Sequence, residues 1–368
     1  MDCSDEDITF DKKGICNHCY EFAEKEKQRL IEKANFPKIV EEIKKIGRDK
    51  KYDCLLGLSG GVDSSLCLHY LIELGLRPLT FSVDNGWNTP ESDENIMRLV
   101  EGLKVPFERV VVDLEEFRKL QKAFLWASVI NAEIPTDHIL MAITYKKAVE
   151  NGIKYIISGG NIATEAIMPR SWGYEARDLT HIKAIYKKYT GKKLKKTPTI
   201  SLWKYLLYRF GKTIKTINLL DYYEYNRETA KQLLNEKYGW NDYGNKHCES
   251  LYTKFFQEYY LPKKFGIDKR KAHFATLINS GQMERKEALE KLRENSWKKF
   301  KQEELNQILT KLNFYPNWAI NFRKIMIAPI RSYKDFSNDE CKWNLCSKVY
   351  GIIKKSKRFF YNIRKSVL

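Results

Sequence analysis

Seven consecutive residues combine two glycines, three serines and a carboxylate: Ser59, Gly60, Gly61, Val62, Asp63, Ser64 and Ser65. Glycine allows backbone N–H groups to approach an anion closely, and a helix that begins here would point its positive end at phosphates. The serine hydroxyls would add further donors. A carboxylate beside phosphates requires a cation between them, so we assign Asp63 to Mg²⁺.

The same segment lacks the Gly-Lys-Ser/Thr ending of the loop that serves γ-phosphate chemistry. Cleavage of ATP between its α and β phosphates therefore fits better. The alternative is a plain Gly/Ser turn that joins a strand to a helix and only caps that helix.

Apolar patterning predicts the elements that must position this loop. Strands alternate with helices of 12 to 16 residues, which implies βαβ units and a doubly wound parallel sheet of the α/β class. We predict strands at Cys54–Leu58, Pro78–Val83, Phe107–Val112, Tyr155–Ile157 and Thr216–Leu220. We predict helices at Val62–Leu74, Glu91–Leu103, Leu114–Val129, Asp137–Glu150 and Arg227–Tyr238, the last capped by Asn226.

Two further groups of small and polar residues follow predicted strands. Asp84 and Gly86 come after the second strand, and Gly159, Gly160 and Asn161 come after the fourth. Ligands of open α/β sheets bind at the carboxyl ends of the strands, so we expect these residues to contact the nucleotide. Simple turns are the alternative at both places, because Asp-Asn-Gly and Gly-Gly are common turn sequences.

Composition indicates a folded protein of the cytoplasm. The chain has 368 residues, of which 43% are hydrophobic and 30% charged, and its acidic start does not resemble a signal peptide. A net charge of +18 suits phosphate-rich ligands, nucleic acid or an anionic membrane surface without choosing among them.

We predict three regions: a Cys-containing segment 1–33, a core 34–285 with a substrate-facing insertion at about 165–212, and a helical C-terminal region 286–368.

The eight cysteines are too sparse for a disulfide framework, so we expect reduced thiols. Cys16 and Cys19 have the two-residue spacing of a zinc knuckle, with Cys3 as a candidate third ligand and His18 or a distant residue as a candidate fourth. A closed structural zinc site needs four ligands, so a bound Zn²⁺ and a site without metal both stay open. Cys54 and Cys67 flank the loop but read as core residues.

Two segments, 203–210 and 352–368, mix basic and aromatic residues. Such segments occur where proteins meet RNA or an anionic membrane face. Amphipathic helices that pack on the core, with Lys and Arg reaching solvent, explain them equally well.

The loop resembles the SGGxDS signature of the PP-loop ATP pyrophosphatases. Further stretches are similar to the N-acetyl sugar amidotransferases of bacterial surface-polysaccharide and nonulosonic acid synthesis, and the resemblance covers residues 1 to about 330. These stretches are Ile8–Asp11 with Gly14–Cys19, Val83–Trp87, Ser158–Asn161 with Ala163–Glu165, Ile217–Tyr222 and Phe265–His273.

The resemblance implies ATP-dependent conversion of an acetamido group of a sugar into an acetamidino group. Adenylation would make the amide oxygen a leaving group, and ammonia would then displace AMP. It implies Lys269 and Arg270 as basic groups that offset charge on the departing pyrophosphate; a solvated charged surface is the alternative for both. It also implies that separate glutaminase and cyclase-like subunits supply ammonia.

Two other functions stay open on the sequence. A tRNA-modifying PP-loop enzyme, either a thiolase or an amino-acid ligase, would suit the positive charge and the cysteines near the N-terminus. A non-catalytic module that binds a nucleotide or docks on a membrane would bind ATP without turning it over.

Overall fold

A five-stranded parallel sheet forms the centre of the computed structural model, which describes residues 1–244, 248–314 and 317–349. The strand order is β3-β2-β1-β4-β5. Chain order therefore reverses between β1 and β4, which is where open α/β sheets form their ligand crevice. The strands are β1 (Cys54–Gly57), β2 (Pro78–Asp84), β3 (Phe107–Val111), β4 (Tyr155–Ser158) and β5 (Lys215–Asn218).

Helices surround this sheet and continue beyond it. The first ten are α1 (Asn17–Lys33), α2 (Phe36–Gly47), α3 (Val62–Glu73), α4 (Pro90–Leu103), α5 (Leu114–Ala127), α6 (Ile134–Glu150), α7 (Ile162–Glu165), α8 (Leu179–Thr190), α9 (Leu202–Leu206) and α10 (Arg227–Tyr238). The C-terminal helices are α11 (Leu251–Phe255), α12 (Leu261–Phe265), α13 (Arg270–Asn279), α14 (Arg285–Leu292), α15 (Ser296–Lys299), α16 (Gln302–Lys311) and α17 (Trp318–Ile327), and residues 340–349 are also helical.

Both faces of the sheet are covered, because successive side chains of a strand point to opposite faces. Leu55 belongs to the cluster that includes Phe117 of α5 and Ile139 of α6. Leu56 belongs to the other cluster, with Leu66 of α3 and Leu234 of α10. The predicted α/β class with a doubly wound parallel sheet is therefore confirmed.

Helix starts follow the capping residues of the sequence. The side chains of Thr89, Asp113 and Asn226 accept hydrogen bonds from backbone N–H groups in the first turns of α4, α5 and α10. A side-chain oxygen at this position satisfies a donor that has no partner within the helix. These three predicted helices consequently begin within one residue of their predicted positions.

The N-terminal part of the chain forms two helices, and the predicted end of the fifth strand was wrong. Residues 25–45 are divided between α1 and α2, because the chain breaks at Ala34 and Asn35 and Pro37 lies in the first turn of α2. The fifth strand stops at Asn218 instead of Leu220, since residues Leu219–Tyr222 form a 3₁₀ turn that buries Leu219 and Leu220.

The basic and aromatic segment 203–210 is divided between a packed and an exposed side. Leu202 is buried. The ring centre of Tyr205 lies 5.4 Å from that of Tyr145 and 5.5 Å from that of Trp343. Trp203 is 77% exposed, and Leu207 and Phe210 are exposed beside it. Packing on the core therefore accounts for only one side of the segment 203–210. The second such segment, 352–368, lies outside the described residues.

Within the described part of the chain, no helix is both long enough and apolar enough to cross a membrane.

Candidate functional site

The loop after β1 has the strand-to-helix geometry that the sequence predicts. Gly61 is the N-cap of α3, which begins at Val62. The hydroxyl of Ser59 lies 3.3 Å from that of Ser64 and accepts a hydrogen bond from the amide of Gly61 at 3.2 Å. N–H groups in the first turn of a helix have no carbonyl acceptor within the helix, so the start of α3 is a site where phosphate can bind.

Position 60 requires glycine because a side chain there would collide with the backbone of α4. The φ of Gly60 is +79°, and a Cβ atom at this position would lie 2.2 Å from the carbonyl oxygen of Ser92 in α4. Its own carbonyl accepts a hydrogen bond from the indole nitrogen of buried Trp240 at 3.0 Å. The turn is therefore held in place by α4 on one side and by Trp240 on the other.

A cavity of about 240 Å³ opens beside the loop. It lies between the ends of β1 and β4, at the reversal of strand order where α/β proteins bind their ligands. Its lining residues are Gly57, Ser59, Gly61, Val62, Asp63, Ser64, Gly159, Glu165, Arg227, Tyr243 and Glu249. We call it the loop cavity.

Arg227 supplies positive charge to the loop cavity. Its guanidinium Nε is buried and has no hydrogen-bond partner among the described residues, while one terminal nitrogen donates to the carbonyl of Gly244 at 3.3 Å. A buried donor without a partner is costly, and a guanidinium is well suited to phosphate oxygens. Arg227 together with the first turn of α3 therefore fits a ligand that carries phosphates.

Three carboxylates line the loop cavity, from Asp63, Glu165 and Glu249. The hydroxyl of Tyr243 lies 3.3 Å from Glu249, and the hydroxyl of Tyr225 donates to Oδ1 of Asp63. Within the described ranges, no group of three or more acidic, histidine or cysteine side chains could hold a metal ion by itself. Mg²⁺ commonly uses one or two carboxylates and takes its other ligands from phosphates and water, which this arrangement allows.

Asp84 and Gly86 lie one strand away from the loop cavity and are not among its lining residues. Oδ1 of Asp84 accepts a hydrogen bond from the amide of Gly86 at 2.9 Å, as in a turn. The ammonium group of Lys311 donates to the carbonyl of Gly86 at 3.2 Å and lies 5.5 Å from the ring centre of Trp87. Burial lowers the pKa of Lys311. The C-terminal helix α16 thus reaches the end of β2.

Gly159 lines the loop cavity, and Gly160 and Asn161 follow it. A Cβ atom on Gly159 would lie 3.1 Å from the backbone nitrogen of Ser64, so this glycine lets β4 approach the start of α3. The side chain of Asn161 caps α7 by accepting from the amide of Thr164 at 2.9 Å. Neither Gly160 nor Asn161 lines the cavity, and Ser65 is fully buried behind it.

Lys269 and Arg270 lie at the start of α13 and do not line the loop cavity. The guanidinium of Arg270 donates to Asp268 at 2.6 Å and to the carbonyls of Lys291 and Glu294 at 3.1 and 2.9 Å. The ammonium of Lys269 lies 5.1 Å from the ring centre of Phe256. These contacts tie Arg270 to the C-terminal helices. The structure thus does not bring either residue together with the loop.

The N-terminal thiols form a pair. The sulfur atoms of Cys16 and Cys19 are 3.5 Å apart at the start of α1, and burial raises the pKa of Cys19. Cys3 is exposed, and the Nε2 atom of His18 contacts Asp5 at 2.6 Å. The described residues contain no group of three possible metal ligands, so they do not form the closed four-ligand site that a structural zinc ion needs.

Cys54 and Cys67 are core residues, as predicted. Both are fully buried, and burial raises the pKa of both thiols. A buried thiol with a raised pKa is a poor nucleophile.

Sequence patterns did not reveal Arg227, Tyr225, Tyr243 or Glu249 as site residues. Arg227 alone carried a usable signal, since it is the first residue of a predicted helix that follows a predicted strand at the sheet's carboxyl edge. The two tyrosines and Glu249 come from irregular segments. Their approach to the loop depends on tertiary packing.

The Ser-Gly-Gly-x-Asp-Ser loop lies at the reversal of strand order of an open parallel sheet, the place where α/β folds bind their ligands. Residues 249–350 match the family model described as "LPS biosynthesis protein WbpG-like, C-terminal domain". The predicted resemblance to proteins of bacterial surface-polysaccharide synthesis is therefore confirmed for this part of the chain.

More distant likenesses were also found. Uncharacterized protein MJ1599 of Methanocaldococcus jannaschii is 27% identical over 161 residues, which cover 41% of this chain; the chain spans about half the length of that relative, 53%. A predicted tRNA methyltransferase subunit from the same organism has a TM-score of 0.29 and 17% identity, over 50% of this chain and 74% of the other. An NH3-dependent NAD synthetase from Campylobacter jejuni has a TM-score of 0.29 and 16% identity, and the match covers 55% of this chain and 91% of the synthetase. TM-scores of this size carry no functional argument.

Proposed function

We propose that this protein is an ATP-dependent amidotransferase that converts the acetamido group of an N-acetyl sugar into an acetamidino group for bacterial surface-polysaccharide or nonulosonic acid synthesis. The observation that carries the proposal is the loop cavity, which is lined by the first turn of α3, by Asp63 and by Arg227, whose guanidinium Nε is buried. The match of residues 249–350 to an LPS biosynthesis family supports a sugar as the acceptor.

The proposed reaction consists of two substitutions, the first at the α-phosphorus of ATP and the second at the amide carbon of the sugar. The amide oxygen of the sugar attacks the α-phosphorus of ATP and pyrophosphate leaves, which gives an O-adenylyl imidate. Ammonia then adds to the imidate carbon, and AMP departs with the original amide oxygen. The product is a protonated amidine. Mg²⁺, with Asp63 as a ligand, would neutralise phosphate charge.

The residues of the chain have separate tasks in this scheme. The first-turn amides of α3, with the hydroxyls of Ser59 and Ser64, hold the phosphates. Arg227 pairs with the phosphate oxygens and stabilises charge on the departing pyrophosphate. Tyr225 orients the carboxylate of Asp63 through its hydrogen bond. Ammonia would come from separate glutaminase and cyclase-like subunits, for which the sequence resemblance is the support.

The test is incubation of the purified protein with ATP, Mg²⁺, ammonium and a panel of N-acetyl sugars. We expect AMP and pyrophosphate in equal amounts, together with a sugar product one mass unit lighter, the difference between O and NH. AMP release that does not depend on the sugar would contradict the proposal. Release only in the presence of tRNA would favour a tRNA-modifying enzyme, a reading to which the net charge of +18 lends support.

A further inference from the structure

A second cavity, of about 320 Å³, lies next to the loop cavity on the side of β5. Its walls come from α1, from the segment that follows β5 and from the end of α13. Tyr225 joins the two spaces, because it lines the second cavity while its hydroxyl donates to Asp63 in the first. A molecule in the second cavity would therefore be separated from the phosphate loop by one tyrosine side chain.

The polar groups of this cavity are suited to hydroxyls and amides. The side-chain nitrogen of Asn279 donates to the carbonyl of Ala275 at 2.7 Å, and that of Gln282 donates to the carbonyl of Tyr225 at 3.1 Å. In each hydrogen bond that the side-chain amides of Asn279 and Gln282 make within the described ranges, the nitrogen is the donor. Both carbonyl oxygens can therefore accept from the hydroxyl or N–H groups of a ligand.

The charge of the cavity disfavours an anion. Arg29 is the one basic residue among the described lining residues. Its guanidinium donates to Glu26 at 2.6 and 2.7 Å and to the carbonyl of Asp221 at 3.0 Å, so it is already engaged. The carboxylates of Asp221 and Glu224 also line the space. A phosphate or carboxylate placed here would meet these acidic groups without an available cation.

The apolar part of the lining is aromatic. Phe22, Tyr223 and Tyr225 contribute rings, and the ring of Tyr223 is fixed by stacking on Tyr70 at 3.9 Å. Binding sites for small molecules combine such apolar walls with a few fixed polar groups, and they begin at about 300 Å³. The cavity therefore accommodates one sugar ring with its substituents.

We propose that this cavity, which we call the acceptor pocket, binds the uncharged acetamido sugar ring, while any phosphate or carboxylate of the substrate lies outside it. The inference rests on the proposed function, which it deepens by assigning the acceptor site and the charge of its ligand. Tyr225 would then border both the sugar ring and the Mg²⁺ ligand Asp63, and the acetamido group would extend past it to the nucleotide.

Direct binding tests the pocket without turnover. Saturation-transfer NMR would be recorded on the full chain with the methyl glycosides of N-acetylglucosamine, N-acetylgalactosamine and N-acetylmannosamine. Asn279→Leu and Gln282→Leu each remove a polar partner, and we expect each to weaken binding of the best sugar about tenfold. ATP affinity should stay within about twofold. Gln302→Leu, at an exposed position on α16, is the matched control.

The smaller Gln282→Ala removes the acceptor oxygen without adding an apolar side chain, so it should also weaken binding of the neutral sugars, and it covers the case in which a leucine variant fails to fold. Sugar binding that is unchanged in all pocket variants would overturn the inference, as would the absence of binding by every neutral sugar. An equal loss of ATP affinity would assign the cavity to the nucleotide and would also overturn it. Tight binding of N-acetylneuraminic acid that depends on Gln282 would contradict the argument from charge.

These outcomes separate the pocket from the reaction. Sugar binding that is lost in the variants but leads to no AMP release in the wild type keeps the pocket and contradicts the proposed function. Sugar-dependent AMP release with a KM for sugar that is unchanged in the variants keeps the function and overturns the pocket.

Discussion

Tyr225 and Asp63 are 162 positions apart in the sequence, and the phenol of the first donates a hydrogen bond to the carboxylate of the second. Tyr225 is buried, and burial together with the nearby charge of Asp63 raises the pKa of its hydroxyl far above the usual value. The phenol therefore stays neutral and acts as a donor at any pH at which the protein works. The segment after β5 is thus joined to the phosphate loop.

Replacing Tyr225 with Phe should weaken binding of Mg·ATP about tenfold, because Asp63 loses the donor that fixes its carboxylate. Isothermal titration with ATP would be carried out in Mg²⁺ and again in EDTA. We expect the defect only in Mg²⁺. Tyr223→Phe, a neighbouring ring that stacks on Tyr70, is the control. An equal loss with and without Mg²⁺ would show that Tyr225 does not act through a metal ligand.

Arg227→Ala should weaken ATP binding by about 1.5–3 kcal/mol, the usual value of a hydrogen bond to a charged group. This corresponds to roughly 10- to 150-fold in Kd. The same substitution should change thermal stability only slightly, because it removes one long hydrogen bond, to the carbonyl of Gly244 at 3.3 Å, and Nε has no partner within the described residues. Arg227→Lys would restore charge without the planar donor pair and should recover only part of the affinity.

Arg285→Ala removes an arginine at the exposed start of α14 and serves as the control for Arg227. If both alanine variants bind ATP as the wild type does, the guanidinium of Arg227 does not contact the nucleotide.

The sequence predicts the loop and its two flanking elements well because their signals are local. The apolar run from Cys54 forms a strand that is covered on both faces, and the glycines mark the turn before α3. The caps at Asp113 and Asn226 likewise depend on residues three positions apart or closer. Patterns of this range are visible without a structure.

The wider site is not predictable in this way, because it depends on contacts between distant segments. Gly60 illustrates the difference: its type suggests close approach to an anion, whereas the structure shows close approach to Ser92. Arg270 has the charge that pyrophosphate would need, but Asp268 lies two residues before it and pairs with it. No periodicity in the sequence predicts where Tyr225 or Glu249 meets the loop.

Gly60→Ala should destabilise the fold through both strain and collision. A non-glycine residue with positive φ costs about 1–2 kcal/mol, and the added methyl group would also displace the backbone of α4 near Ser92. Gly152→Ala isolates the first contribution, because Gly152 has φ +63° and no atom within 4 Å of an added Cβ. Urea unfolding should give a free energy of unfolding at least about 2 kcal/mol lower for the Gly60 variant than for the Gly152 variant. Equal values would exclude the collision.

His181 makes the stability of the protein depend on pH. Its ring is fully buried against Tyr333 and Phe336, and both ring nitrogens are buried without a hydrogen-bond partner in the described part of the chain. Burial lowers its pKa to about 4. His138 is also buried, and burial lowers its pKa to about 4. At each of these two positions the unfolded chain therefore binds more protons than the folded protein between pH 4 and the usual histidine pKa of about 6.5.

These two histidines should lower the free energy of unfolding as the pH decreases from about 6.5 to about 4, each by at most about 3 kcal/mol. Asp137, whose pKa is raised to about 7 by burial, acts in the opposite direction over the same range. His181→Phe keeps the aromatic packing and removes the titrating group, so the slope of the free energy of unfolding against pH should decrease over this range by the contribution of His181, while His138 keeps its own. The variant should be at least as stable as the wild type at pH 5, since no buried nitrogen remains to be desolvated. Urea unfolding at several pH values measures both effects. An unchanged slope would mean that the ring of His181 is protonated as readily in the folded protein as in the unfolded chain.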